Sequence, residues 1–206
     1  MANQNLITMI DYGIGNYRSV IKGFEHVGAS VHLTRDVDEI ANADKLALIG
    51  VGAFRATMDA LAERNQIDPI HHAVSKGTPL IGICVGMQVL FDDSTEFGYT
   101  KGLSLIPGSV QRFPDQKGLK VPHMGWNQLE HNGQSALLSN VQSSGYAYFV
   151  HSYYCTPSDP AHTLAKTDYG IEFTSVTNRD NVYGIQFHGE KSQKVGLQIL
   201  KNFANI

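Results

Sequence analysis

Cys84 stands where an apolar run, Pro79-Leu-Ile-Gly-Ile83, gives way to a helix-like pattern of Met87, Val89, Leu90 and Phe91, with Gly82 and Gly86 two residues to either side. A strand that turns sharply into a helix needs small residues at the turn, and it holds the side chain at its apex out from the strand end. A cysteine there is suited to nucleophilic attack. The helix N-terminus favours the thiolate, and the amide N–H of Val85 points to where an oxyanion would develop. A buried structural cysteine at a strand end is the plainer alternative, but it leaves the two glycines unexplained.

A thiol nucleophile needs a base, and the base needs an orienting group. The run Val182-Tyr-Gly-Ile-Gln-Phe-His-Gly-Glu190 supplies both, a strand leading to His188 with Glu190 two residues on. Taken singly, one of nine histidines means little; His71 and His72, for example, read as a solvated helix face. A distant His-x-Glu at a strand end, following an elbow cysteine, does point to catalysis. Gly50-Val-Gly-Ala53 is a third candidate, a glycine loop whose backbone N–H groups can approach a ligand and whose peptide can flip at small cost. Asp11-Tyr-Gly-Ile-Gly-Asn16 has two glycines after a strand, and Asp36 lies at the distance of a ribose-binding acid. The third glycine of that dinucleotide fingerprint is replaced by Arg18, so a nicotinamide site is rejected.

The elements that must position these groups alternate. Residues 6–11, 30–33, 45–49 and 79–83 read as short strands; 17–27, a stretch around 58–61, and 67–74 read as helices. Such alternation favours βαβ units and a mainly parallel sheet. From about residue 108 the texture changes. Strands near 145–154, 171–176 and 181–187 follow one another as an antiparallel extension before a closing helix over 195–203. The expectation is one α/β domain over residues 1–206, a mainly parallel sheet flanked by helices with an antiparallel extension in the C-terminal half.

Whole-chain properties exclude several classes. The net charge is −3 with no block of like charge, so a nucleic-acid or anionic-membrane surface is not expected. No apolar run reaches the roughly 20 residues that span a bilayer, and the first five residues lack the regions of a signal peptide. Two cysteines without a secretion signal read as free thiols in a cytoplasmic protein.

Gly82-Ile-Cys-Val-Gly-Met-Gln88 and Phe187-His-Gly-Glu-Lys-Ser192 resemble the class I, triad-type glutamine amidotransferases. The strings at 11–16, Lys101-Gly-Leu103, Pro122-His-Met-Gly-Trp-Asn127 and Tyr148-Phe-Val-His-Ser-Tyr153 narrow the resemblance to the subunits that serve imidazole glycerol phosphate synthases of histidine biosynthesis. The resemblance spans essentially the whole chain and implies a flavodoxin-like fold. It also implies glutamine as substrate, no metal or other cofactor, and a heterodimer with a (β/α)8-barrel cyclase subunit that uses the ammonia. By matching position it makes Cys84, His188 and Glu190 the triad, and Val51, Gly52 and Val85 the oxyanion donors. It places Gly50, Gln88, Glu96, Ser152 and Tyr153 around glutamine, and Pro122, His123, Met124, Trp126, Asn127, Tyr148 and Lys191 on the partner face, with Asn16 near the ammonia exit. Ile49, before the Gly50 loop, and Gly189, between His188 and Glu190, stand where the family usually has proline, and Gly189 predicts a looser His188–Glu190 geometry. The rival readings are a glutaminase serving another synthase, a cysteine-elbow hydrolase whose His directly follows the Cys (here Val85 does), and a binding subunit without turnover.

Overall fold

The computed structural model describes residues 5–115 and 118–206. The absence of a signal peptide was read mainly from residues 1–4, which lie outside the described residues. The first half alternates strand and helix: β1 (Leu6–Ile10), α1 (Tyr17–His26), β2 (Ser30–Thr34), α2 (Val37–Ala41), β3 (Leu46–Gly50), α3 (Phe54–Glu63), α4 (Ile67–Ser75), β4 (Leu80–Cys84) and the one-turn α5 (Val85–Gln88). Every residue of β3 and β4 is buried. Their unbroken apolar runs are those of parallel strands covered on both faces.

The second half is mostly strand: β5 (Asp93–Ser94), β6 (Thr100–Lys101), β7 (Gly108–Arg112), β8 (His123–Leu129), β9 (Gly145–His151), β10 (Tyr153–Pro157), β11 (Thr163–Asp168), β12 (Glu172–Arg179) and β13 (Val182–Ile185), before α6 (Gln193–Ala204). An 11-stranded sheet runs β2-β1-β3-β4-β13-β12-β10-β7-β5-β6, with β11 on β12. Its first five strands are all parallel, in the order of flavodoxin-like folds. From β13 through β12 and β10 to β7 the pairing is antiparallel, the extension read from the sequence, while the short β5 runs parallel to β7. Helices flank the sheet: α1 packs on α6, with Phe24 and Phe203 6.4 Å apart, and α2 packs on α4.

The structure differs from the sequence reading in several elements. The unforeseen α2 starts at Asp36, whose Oδ1 accepts the Asp38 and Glu39 N–H groups at 2.8 and 3.1 Å. That acid is a helix cap. The apolar residues after Cys84 make one helical turn and then a buried loop. Residues 145–154 are two strands that part at Ser152: β9 joins β8 in a separate two-stranded sheet, while β10 joins the large one. β5, β6, β7, β8 and β11 were not foreseen as strands. No helix among the described residues is long and apolar enough to cross a membrane.

Candidate active site

Cys84 closes β4 with φ 59° and ψ −117° and caps α5. A non-glycine residue there costs of order 1–3 kcal/mol and persists only where the surroundings impose it. The neighbouring glycines impose it by contact. A Cβ on Gly82 would lie 2.5 Å from the Gly86 oxygen, and one on Gly86 would strike the Leu48 carbonyl oxygen. A Cβ on Gly50 would lie 2.5 Å from the Gly86 nitrogen. Three backbones therefore meet without side chains between them, and the thiol is carried to the sheet's C-terminal edge.

The partner of Cys84 arrives on the adjacent strand. β13 runs parallel to β4 with Ile185 opposite Ile83, so the residues after β13 leave at the same edge. His188 Nδ1 donates to Glu190 Oε1 at 3.1 Å, and a second hydrogen bond joins the ring to Cys84. Burial alone would lower the His188 pKa. The hydrogen bonds to Cys84 and Glu190, with the charges of both, outweigh it and raise the value to about 10. Glu190 sits on a 3-10 turn (Gly189–Lys191) with its side chain only 4% exposed.

Ser192 bolts this turn in place. Its hydroxyl donates to the His188 carbonyl at 2.6 Å and accepts the Tyr148 N–H at 2.9 Å, while the His188 N–H donates to the Tyr148 carbonyl at 3.1 Å. These bonds span Gly189, which stands where the family usually has proline, and the His188–Glu190 contact forms across it. Ser192 lies inside a string quoted for the resemblance, but its role depends on Tyr148, forty-four residues away, so spacing alone could not reveal it.

A cavity of about 440 Å3 opens beside the thiol. Val51, Gly52, Val85, Gln88, Glu96, Ser152 and Tyr153 line it with Cys84 and His188; Asn16, Pro122 and Lys191 stand at its wall. Gln88 Nε2 donates to the Tyr153 carbonyl at 3.0 Å. Glu96 accepts the Phe54 N–H at 2.7 Å at the start of α3, where the helix dipole favours a carboxylate. Gly50 is spent on the close approach to Gly86 and does not line the cavity. Val150 and His151 do line it, and both were missed because they lie inside what reads as one strand.

Of the other residues read as partner-facing, Met124 and Trp126 are 63% and 47% exposed, joined by Tyr146 at 55%, and Tyr148 packs on Trp126. His123 is buried, and the Asn127 amide turns inward to it. The rejected dinucleotide loop is a side-chain-stapled turn: Asp11 accepts the Gly13 N–H at 2.9 Å and Arg35 Nε at 2.7 Å. Tyr12, fully buried, donates to the Ile49 carbonyl at 2.5 Å, at the base of the Gly50–Gly52 loop.

An elbow cysteine, a His–Glu pair on the next parallel strand and a cavity with polar groups on a flavodoxin-like sheet define a cysteine-dependent amidohydrolase site. The chain belongs to the class-I glutamine amidotransferase family, whose profile matches residues 8–206. It is 50% identical over 206 residues to the imidazole glycerol phosphate synthase subunit HisH of Syntrophotalea carbinolica, covering 98% of this chain and 100% of that protein. The subunit of the same name from Salinibacter ruber is 50% identical, over 97% and 94% of the two chains. Among solved structures, a glutamine amidotransferase superposes with a TM-score of 0.75 at 16% identity, covering 97% and 99%. PurLQS from Thermotoga maritima superposes with a TM-score of 0.69 at 15% identity, covering 97% of each. At those identities the structures speak for the fold alone.

Proposed function

We propose that this chain, as one domain over residues 1–206, is the glutaminase subunit of an imidazole glycerol phosphate synthase in histidine biosynthesis. It hydrolyses glutamine and passes ammonia to a separate (β/α)8-barrel cyclase subunit in a cytoplasmic heterodimer. The observation that carries the chemistry is the placement of His188 between Cys84 and Glu190 at one edge of the sheet. Cys84 Sγ attacks the side-chain amide carbon while the oxygen becomes an oxyanion facing the N–H groups of Val51 or Gly52 and Val85. The C–N bond then breaks, His188 gives its proton to the leaving nitrogen, and a glutamyl thioester remains. Water adds to the thioester, returning the thiol and releasing glutamate. Gln88, Glu96 and the Ser152–Tyr153 backbone hold the amino-acid end of the substrate.

The docking face is read as Met124, Trp126, Tyr148, Pro122 and Lys191, extended by Tyr146, with Asn16 at the ammonia exit. Trp126 is the chain's one tryptophan, so its emission reports docking directly. The test is glutamate release by the chain alone, with the barrel subunit, and with that subunit carrying its nucleotide ligand. The expected order is weak, stronger, strongest. Gly52 has φ +92° with open space around it, which lets the loop swing an oxyanion donor in or out, and one donor is worth about 10²–10³ in turnover. No glutamate release under any condition overturns the proposal; equal rates in all three remove only the loop's role.

A further inference from the structure

The cavity contains a second histidine that this chemistry leaves idle. His151 lines it yet is only 6% exposed, and its registered partner across the β8–β9 hairpin is His123, 3% exposed. The contacts fix every hydrogen. His151 Nδ1 lies 2.8 Å from the Tyr153 carbonyl oxygen, which can only accept, so Nδ1 carries the hydrogen. His151 Nε2 is then a lone pair, and it faces His123 Nδ1 at 3.0 Å, so His123 Nδ1 donates. His123 Nε2 accepts from the Asn127 amide at 3.3 Å, and that amide also donates to the Asp168 carbonyl at 2.8 Å. The chain of donors runs one way, from β8 to the Tyr153 carbonyl.

Burial lowers the pKa of His151 to about 3 and of His123 to about 4, so both rings stay neutral. The His123 ring is stacked between Tyr169 and Phe149, with centroids 4.0 and 4.9 Å away. An aromatic box of this kind would be filled at less desolvation cost by phenylalanine. The polar pair therefore serves position rather than stability. What it holds is the Tyr153 carbonyl oxygen, which also accepts from Gln88 Nε2 at 3.0 Å, just where the chain parts from one sheet and enters the other.

We propose that His151, backed by His123 and Asn127, is a positioning residue that sets the Ser152–Tyr153 backbone to receive the amino-acid end of glutamine. This rests on the glutaminase reading. The test compares His151→Phe, which keeps an aromatic ring against Phe113, Phe149 and Phe173 without a donor, with His151→Asn, whose amide places a donor near the lost Nδ1, both in complex with the barrel subunit. His151→Phe raises the glutamine KM about tenfold, the loss of one hydrogen bond to a buried carbonyl, with kcat changed less than about threefold and ammonium-dependent synthesis intact. His151→Asn recovers most of the KM. A wild-type KM in His151→Phe, or equal losses in Phe and Asn variants spread over kcat and KM, overturns the role. Nitrogen NMR of histidine-labelled wild type gives a readout independent of turnover: both rings are Nδ1–H tautomers that do not titrate above pH 5, and an Nε2–H tautomer or a titration between pH 5 and 8 overturns the relay. A wild type that releases no glutamate removes the glutaminase reading and the glutamine-positioning role with it, while the NMR result alone reports on the relay.

Discussion

At the scale of single residues, catalysis is assigned by what each group touches, and the two cysteines make the contrast testable. Cys84 is held at positive φ beside His188. Cys155 is fully buried on β10, and burial pushes its thiol well up. Cys84→Ala is expected to abolish glutamine-dependent synthesis while synthesis from added ammonium persists, and Cys155→Ala is expected to keep both. His188→Asn should cost about 10²–10⁴ in glutamate release, more than Glu190→Gln, because the base moves protons and its partner only orients it. Glutamate release by Cys84→Ala at the wild-type rate would remove the assignment. That Cys84, His188 and Glu190 converge was legible because each declares itself locally: glycines around a cysteine, and a carboxylate two residues past a histidine. Ser192 and His151 were not, since a serine bonded to Tyr148 and a histidine bonded to His123 acquire their roles only from residues brought close by folding.

At the scale of elements, the parallel half was legible because buried strands are written as apolar runs and helices as spaced ones. β8 was missed for a specific reason: its pattern is inverted. Met124 and Trp126 point outward while His123 and Asn127 point in, so hydrophobic alternation indicates the wrong face. The same scale supplies a test of how α6 positions the triad. A Cβ on Gly196 would strike the Gly189 carbonyl oxygen and lie 2.7 Å from Ser192 Cβ, both on the turn that carries Glu190. Gly→Ala inside a helix ordinarily stabilises by up to about 1 kcal/mol. Here the sign reverses: Gly196→Ala should destabilise by about 1–3 kcal/mol through overpacking and lower glutamate release by displacing Glu190. Urea midpoints and a glutaminase assay check both, and a stabilised, fully active Gly196→Ala would show that α6 does not set the turn.

At the scale of the whole molecule, three buried histidines give folding a defined pH dependence. An exposed histidine in the unfolded chain titrates near about 6.5. His151 and His123 are depressed to about 3 and about 4 in the folded protein by burial. Below pH ~6.5 the unfolded chain therefore binds protons that the folded one refuses, and stability falls as pH falls through that window. For His151 alone the slope approaches about 1.4 kcal/mol per pH unit, with His123 adding to it. His188 works in the opposite sense: burial opposes its charge, but Cys84 and Glu190 raise it to about 10. Its contribution is complete below pH ~6.5 and is lost as pH rises toward about 10. The two tendencies place the stability maximum near pH 6.5–7, with the acid side steeper because two rings act there against one. Urea midpoints from pH 4.5 to 9.5 measure the curve, and His123→Phe, which keeps the aromatic stack, should make the acid limb shallower by about one proton. A flat acid limb in the wild type, or an unchanged one in His123→Phe, would mean that these rings are not held neutral in the fold.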